Sequence, residues 1–502
     1  MPDLRRGQAL HSAEGGVREE RRRGRLRHRE RRGAAVVLER LRFAAALAAA
    51  RLARTASRAV GTGGGTTVPG VVARRVDPKV LARLARGLPL GSVALTGTNG
   101  KTTSTRMVAR IFEAAGLDMV SNSTGANLVT GVTASLLADS DLEGKPTSEI
   151  GLFEVDEASV PKVAADVPLR VLAVLNLFRD QLDRYGELSY TGRVIASAFP
   201  DLPADGRVLL NADDPLVAHL GLNRPDAVYF GIEDPSLDTG VLQHVADSKD
   251  CPVCGTPLDY AAIYFGHMGD YACPNCDFAR PKPDYRVTDV RLDGSRGASF
   301  RLEAPGGSEN VKVTLPGLYN IYNALAAAGV AGMVGVGTQT VAKSLGEFGG
   351  AFGRVERVKA GDKEVFLLLI KNPVGFNEVL RTFVLGDEAK HVLISINDRD
   401  ADGRDVSWLW DVDFEMLNRP DRERRTEFRT GGIRADDMAV RLKYAEIPVS
   451  DVESDARKAL EKGLAATPAG ETLYVLPTYT AMLELRRILS DMGYTHPFWE
   501  EK

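Results

Sequence analysis

Residues 93–103 read Val93-Ala-Leu-Thr-Gly97-Thr98-Asn99-Gly100-Lys101-Thr102-Thr103, an apolar strand running directly into a glycine-rich turn that ends in Lys-Thr. That order of residues suits a nucleoside triphosphate. The strand fixes where the loop sits, and Gly97 and Gly100 let the backbone N–H groups of the loop close on phosphates. Lys101 reaches the terminal phosphates, and the Thr102 hydroxyl is placed to ligate Mg²⁺. A helix is expected from Thr102 to about Ala115, with the positive end of its dipole turned to the same anion. One position departs from the common P-loop pattern: the place of its first glycine, five residues before Gly100, holds Leu95. A glycine-rich turn also serves as a plain strand-to-helix connection, and this stretch alone leaves that reading open.

A chain of 502 residues and 54.2 kDa is expected to hold two or three domains, each with its own core. Its 44% hydrophobic and 26% charged residues are ordinary for a soluble protein. The net charge of −3 conceals an asymmetry: residues 1–55 carry 15 Arg against 6 acidic residues, so the remainder is acidic. A uniformly basic nucleic-acid binder is not indicated. Residues 1–55 are expected to be a disordered basic extension. Towards its end, Val36 to Ala56 reads as a basic, Ala-rich amphipathic helix. Two readings fit it: attachment to an anionic membrane surface, or packing on the domain that follows. Its longest uncharged run, Phe43 to Ala50, is far short of the roughly 20 residues a membrane span needs. With no secretory signal either, the expected location is cytoplasmic, with peripheral contact at the inner membrane face as the variant.

All four cysteines fall in one window, as Cys251-Pro-Val-Cys254 and Cys273-Pro-Asn-Cys276. Two CxxC knuckles at this separation match a tetrahedral Cys₄ zinc ribbon; a redox pair and an iron–sulfur cluster are the alternatives. Four thiolates leave no open coordination position, so such a zinc is structural. Tyr260, Tyr264, Phe265 and Tyr271 between the knuckles are expected to form the ribbon's small core. The run Asp250, Asp259, Asp270 and Asp277 argues against a nucleic-acid role for it.

From Ala56 to about Gly337, apolar strands (Val93–Thr96, Ile150–Val155, Val171–Leu175, Val208–Asn211) alternate with helix-length pieces. This predicts a doubly wound, mostly parallel α/β sheet. The ribbon, at about 243–283, interrupts it. A β-rich stretch over 285–315 and a helix from Tyr319 through Met333 follow. After a glycine-rich hinge ending at Gly353, strands at Glu364–Ile370, His391–Ile396 and Thr472–Leu476, with helices at Phe376–Val384 and Asp451–Ala465, predict a second α/β unit. The expected domains are 56–353 and 354–502.

The string Gly97-Thr-Asn-Gly-Lys-Thr-Thr103 resembles the ATP site of the Mur ligase superfamily, and further segments match that family in order. They are Phe153-Glu154-Val-Asp156-Glu157, Leu209-Leu-Asn211-Ala-Asp213-Asp214-Pro215, Gly317-Leu-Tyr-Asn320-Ile-Tyr-Asn323, Arg354 and Lys371-Asn-Pro373-Val-Gly375. The resemblance implies ATP and Mg²⁺ as cofactors. Glu154 is then the metal ligand beside Thr102, Asn320 and Asn323 lie against adenine, and Arg354 is a hinge arginine near the nucleotide. Asn320 also reads as a helix cap. Two positions depart from the family: Gln181 stands where a metal-associated His is usual, and Arg193 is nearest to the place of a carbamylated lysine. The sequence before the P-loop is also too short for the family's separate UDP-binding domain.

That absence, the Cys₄ window, Asn176-Leu-Phe-Arg179-Asp180-Gln181-Leu-Asp183-Arg184 and Asn397-Asp398-Arg-Asp-Ala-Asp402-Gly-Arg-Asp405-Val-Ser-Trp408 are similar to one branch. These are the MurT-type subunits of lipid II isoglutaminyl synthase. The branch implies activation of the D-isoglutamate α-carboxylate of the lipid II stem peptide by ATP, then amidation by ammonia. With all four cysteines expected on zinc, none is left as a glutaminase nucleophile, so a partner is expected, in the family a GatD-type glutaminase. Asp405 is the expected residue lent to that partner's catalytic pair, with Asp402 and Asp398 as rivals, and Lys101 is the catalytic cation of the ligase site. The rival enzyme reading is a Mur or folylpolyglutamate-type amino-acid ligase.

Overall fold

The computed structural model describes residues 37–57, 67–122, 126–179, 188–240, 248–349, 355–385, 390–418 and 426–495. Among the described residues, eleven strands up to residue 313 are β1 Ser92–Thr96, β2 Met119–Ser121, β3 Ile150–Glu154, β4 Leu169–Val174, β5 Arg207–Asn211, β6 Val228–Ile232, β7 Asp259–Phe265, β8 Met268–Ala272, β9 Tyr285–Leu292, β10 Ala298–Ala304 and β11 Gly307–Val313. Nine of them make one sheet in the order β11-β10-β9-β6-β5-β4-β1-β3-β2, while β7 and β8 pair separately. Pairing is parallel from β2 through β9 and antiparallel across β9, β10 and β11.

The alternation of side chains along each strand sorts them into two apolar layers. Val93 and Leu95 join Met107, Ile111 and Phe112 of helix Lys101–Ala114 and Ile321 and Leu325 of helix Leu318–Val334 on one face. Ala94, Phe153 and Leu172 pack on the other face, against Val132, Val163 and Val217 from helices Val129–Asp139, Val160–Asp166 and Pro215–Leu220. The mostly parallel central sheet covered by helices on both faces is therefore as expected. It places the P-loop at the carboxyl end of β1, between β3 and β4, where open α/β sheets hold their ligands.

Six further strands form a second sheet: β12 Val355–Ala360, β13 Lys363–Leu368, β14 His391–Ser395, β15 Glu427–Gly431, β16 Val449–Glu453 and β17 Thr472–Pro477, in the order β12-β13-β17-β14-β15-β16. It too is parallel except for the β12–β13 hairpin. The helix expected from Asp451 begins later, at Ala456, because Asp455 caps it by accepting from the Lys458 N–H at 2.9 Å, and Asp451 lies in edge strand β16.

The ribbon's core differs from expectation. Tyr271, Leu258, Phe278, Cys251 and Cys273 do form a small cluster, with Tyr260 at its margin. Tyr264 and Phe265 instead join the large core beneath the nine-stranded sheet, so the β7–β8 hairpin is driven into the main body. Polar contacts fix it there. The Arg280 guanidinium meets buried Asp213 at 2.7 Å and Glu233 at 2.8 Å. Asp213 also accepts from the Ile232 N–H (2.8 Å) and the Tyr322 hydroxyl (2.7 Å), and the Tyr271 hydroxyl donates to the Ala212 carbonyl (3.0 Å). One carboxylate thus ties the ribbon, the sheet and helix Leu318–Val334 together. Asp213→Asn is expected to cost about 3 kcal/mol by stranding a largely buried cation. Urea unfolding with limited proteolysis checks it, a wild-type midpoint and an unchanged cleavage pattern at the ribbon contradicting the account.

Candidate active site at the P-loop

Gly100 has φ of 85°, in the left-handed region, and ends the loop where helix Lys101–Ala114 begins. A Cβ there would lie 2.0 Å from Asn323 Oδ1, so helix Leu318–Val334 approaches the loop too closely for any side chain. Asn323 Oδ1 also accepts from the Ser104 hydroxyl (3.2 Å), and its Nδ2 donates to Asn320 Oδ1 (3.0 Å). Asn320 Nδ2 donates in turn to the Pro316 carbonyl at 2.7 Å, and since the helix is capped at Gly317 without a side-chain bond, Asn320 is not its cap. The two asparagines are therefore side by side on one helix face at the P-loop.

The loop is braced from below by the segment after β4. The Asn99 N–H donates to Asn176 Oδ1 (2.8 Å) and Asn176 Nδ2 returns to the Asn99 carbonyl (3.0 Å). The Thr98 N–H donates to the Asn176 carbonyl (3.0 Å), while the Thr98 hydroxyl lies 3.0 Å from both the N–H and the carbonyl of Phe178. Asp214 holds that segment by accepting from the Leu177 N–H (2.8 Å) while capping helix Pro215–Leu220. From above, Asn372 of the second sheet's side donates to Asn99 Oδ1 at 2.9 Å. The Asn99 Nδ2 donor is buried without a partner among the described residues.

Lys101 is buried, its ammonium held by the Gly97 and Thr98 carbonyls and paired with Glu157 at 2.8 Å. Glu154 is buried at the end of β3, in register with Leu95 of β1, and Asn122 exchanges two hydrogen bonds with its backbone. Thr102 is partly exposed at the helix start and Thr103 lines the adjoining cavity. Of the acidic motif, Asp156 caps a short turn through the Ala158 N–H (3.2 Å). Arg354, with Asp180, Gln181 and Asp183, lies outside the described residues.

A cavity opens between the two sheets. Asn99, Gly100, Asn320 and Asn323 form one side, Lys371, Asn372 and Glu378 the other, and Phe265 and Met268 of the ribbon hairpin close it. Phe265, Met268 and Glu378 were not legible as site residues: Phe265 reads as ribbon core, Met268 carries no signal, and a lone Glu inside a helix carries no motif. Glu378 is 6% exposed, and its burial raises the carboxyl to about 7 against the pull of Arg381, 3.7 Å away.

The fit of the implied groups follows from these donors. A P-loop with an ammonium, a free amide donor and helix-terminal N–H groups is chemically matched to phosphates. Thr102 and Glu154 supply the hard oxygen donors Mg²⁺ takes. The four cysteine sulfurs lie within 4.8 Å of one another, with Cys251–Cys276 at 3.6 Å and Cys254–Cys273 at 3.4 Å. Those separations are too long for a disulfide and suit four thiolates around one tetrahedral ion.

In the second unit, Asp402 is buried and accepts from the Thr480 N–H (2.7 Å), the Thr480 hydroxyl and the Arg399 N–H (3.2 Å). Asp398 pairs with Arg434 at 2.9 Å. Asp405 is exposed and holds a turn through the Ser407 N–H (2.8 Å) and hydroxyl (2.9 Å), contacts that keep its carboxyl below the usual range.

Comparison with known proteins agrees with this architecture. Residues 95–280 match the Mur ligase middle domain and residues 369–482 the MurT ligase C-terminal domain. The chain is 34% identical over 432 residues to the MurT subunit of lipid II isoglutaminyl synthase from Streptococcus pneumoniae, covering 85% of this chain and 93% of that one. The chain belongs to the MurT family. A second MurT subunit, from Staphylococcus aureus, is 35% identical, covering 86% and 94%. Among solved structures, a pseudomurein peptide ligase type C from Methanothermus fervidus aligns with TM-score 0.63 at 21% identity, covering 80% of this chain and 79% of that one. MurF ligase from Thermotoga maritima in complex with ADP aligns at 0.59 and 12%, covering 84% of each. These last two place the MurT-family chain in the Mur ligase fold.

The buried Glu378 gives a pH test. Because its carboxyl is raised from 4.5 to about 7, the folded chain keeps a proton that the unfolded chain loses between those values. Stability therefore falls as pH rises through that window and levels off above it, by up to about 3 kcal/mol from this group. The stability difference between Glu378→Gln and wild type, read from urea unfolding at pH 5 and pH 8, should grow in the variant's favour at pH 8. A pH-independent difference contradicts the burial.

Proposed function

We propose that this chain is the ATP-dependent synthase subunit of a lipid II isoglutaminyl synthase, converting the α-carboxylate of D-isoglutamate in the lipid II stem peptide to the amide. The observation that carries it is the match to MurT subunits along 93% of their length, joined to a P-loop that faces a cleft between two α/β units. ATP's γ-phosphoryl group passes to a carboxylate oxygen as its bond to the bridging oxygen of ADP breaks. Ammonia then attacks the acyl carbon, phosphate leaves, and the nitrogen loses a proton.

Lys101 shields negative charge on the transferring group, and the P-loop N–H groups orient it. Thr102 and Glu154 are the residues that would hold Mg²⁺, which supplies charge neutralisation when bound. Asn320 and Asn323 present amides to the base, and Phe265 and Met268 offer its apolar faces a wall. Closure between the two sheets excludes water from the reactive acyl phosphate. Cys251, Cys254, Cys273 and Cys276 would hold a structural Zn²⁺ that keeps the ribbon hairpin rigid. Arg354 is kept as the hinge arginine on resemblance alone, and domains of 56–353 and 354–502 as the division of labour.

Nitrogen comes from a partner subunit of GatD glutaminase type, in a cytoplasmic complex that works at the inner face of the membrane. Asp405 is assigned to complete the partner's catalytic site. Its exposure supports the choice, because Asp402 is committed to Thr480 and Asp398 to Arg434. The exposed ring of Trp410, five residues after Asp405, lies 5.2 Å from that of Tyr444, and the pair offers the kind of aromatic anchor protein interfaces use.

Lys101→Ala is expected to lower amidation by about 10³-fold with either nitrogen source; a wild-type rate contradicts the reading. Asp405→Asn in the complex should lower glutamine-dependent turnover on the order of 10²-fold while the rate with ammonium chloride stays at wild type. An equal fall in both rates would move Asp405 to the ligase site or the fold.

A further inference from the structure

Helix 37–57 presents apolar side chains in two opposite directions. Its inner face packs on the protein: Ala46, Leu47 and Ala50 are buried, and Phe43 and Leu47 press on Gly144 so closely that a Cβ there would meet them at 2.6 and 2.9 Å. Polar contacts lock the helix in this orientation. Arg42 donates to the Val76 carbonyl (2.6 Å), Glu39 pairs with Lys79 and Arg83 (both 3.3 Å), and Arg51 donates to the Asp141 carbonyl. The packing reading of this segment therefore holds.

Among the described residues, nothing covers the outer face in this way. Val37, Leu38, Leu41, Ala45, Ala48 and Leu52 fall within an arc of about 100° at helical spacing. All six are exposed, with Val37 at 57%, Leu38 at 67%, Leu41 at 63% and Leu52 at 72%. Singly exposed leucines are common, but four large apolar side chains in one arc mark a contact site. Arg40 borders the stripe on one side, and Arg51 beside it and Arg42 on the other side carry their charge while donating to the Asp141 and Val76 carbonyls. Residues 1–36, immediately upstream, contain 11 Arg against 5 acidic residues.

An apolar stripe edged by arginines is the pattern of a helix lying in a bilayer interface, its apolar side chains at the acyl boundary and its cations at anionic headgroups. We infer that the outer face of helix 37–57 docks this protein on an anionic lipid bilayer with the helix axis in the membrane plane. The inference rests on the proposed function in one respect: a lipid-linked substrate gives the contact its use. Leu52 and Leu38 then act as wedges, and the inner face couples the bilayer to the ATP-binding unit.

The test is sedimentation of the full complex with vesicles of phosphatidylcholine containing phosphatidylglycerol, and with phosphatidylcholine alone. Wild type should bind the anionic vesicles, release on raising salt, and bind neutral vesicles at least about tenfold more weakly. L38E/L41E/L52E should lose anionic binding by a similar factor while circular dichroism and amidation of a detergent-solubilised short-chain substrate stay at wild type. Wild type remaining in the supernatant overturns the inference, as does undiminished binding of the triple variant. A change of oligomeric state in the variant without vesicle binding by wild type assigns the stripe to a second copy and overturns it too. Because vesicle binding needs no substrate, failure of the amidation assay in wild type bears on the proposed function alone.

Discussion

The P-loop holds its shape because Asn99 is gripped from two sides. Asn176 takes both of its backbone polar groups from below, and Asn372 reaches its side-chain oxygen from the second sheet. A phosphate-binding loop works by having its N–H groups aimed before the anion arrives, since dipoles that must reorganise lose much of their effect. Here that aim is set jointly by β4, which carries Asn176 at its end, and by the unit that closes the cleft. Gly100 completes the constraint, because its left-handed turn brings the loop against Asn323 with no room for a Cβ. The loop, the helix carrying Asn320 and Asn323 and the second sheet therefore form one mechanical object.

The ribbon belongs to that object. Arg280, Asp213 and Tyr322 bind it to the sheet and to the helix carrying Asn320 and Asn323, and its hairpin ends at the cavity wall. An ion-paired carboxylate buried this deeply contributes little net stability against an apolar alternative, but it specifies one register of ribbon on sheet. That specificity is what Phe265 and Met268 need if they are to stand at a fixed distance from the P-loop asparagines.

Much of this was legible before any coordinates. Residues 93–103 identify strand, turn and helix because each local preference agrees with the others: apolar β-formers, glycines where φ turns positive, then good helix formers. The parallel sheet followed from strand and helix lengths, and the cysteine spacing announced a metal-sized cluster. Edge strands β12 and β16 escaped notice because edges carry polar residues, which blur the alternation that marks buried strands. Tyr264 and Phe265 were misassigned for a related reason: an aromatic residue between two knuckles satisfies a small core or a large neighbouring one equally well, and only docking decides. Glu378 left no trace at all, since a raised carboxyl is a property of surroundings contributed by distant segments.

If this cleft activates a carboxylate by phosphorylation and hands it to ammonia, a carboxylate oxygen must leave with the phosphate. The most direct measurement supplies the complex with substrate labelled by ¹⁸O in the α-carboxylate, with ammonium chloride as the nitrogen source, and analyses the inorganic phosphate by mass. One ¹⁸O is expected in each phosphate released, in step with amide formed. Unlabelled phosphate accompanying amide formation would contradict it.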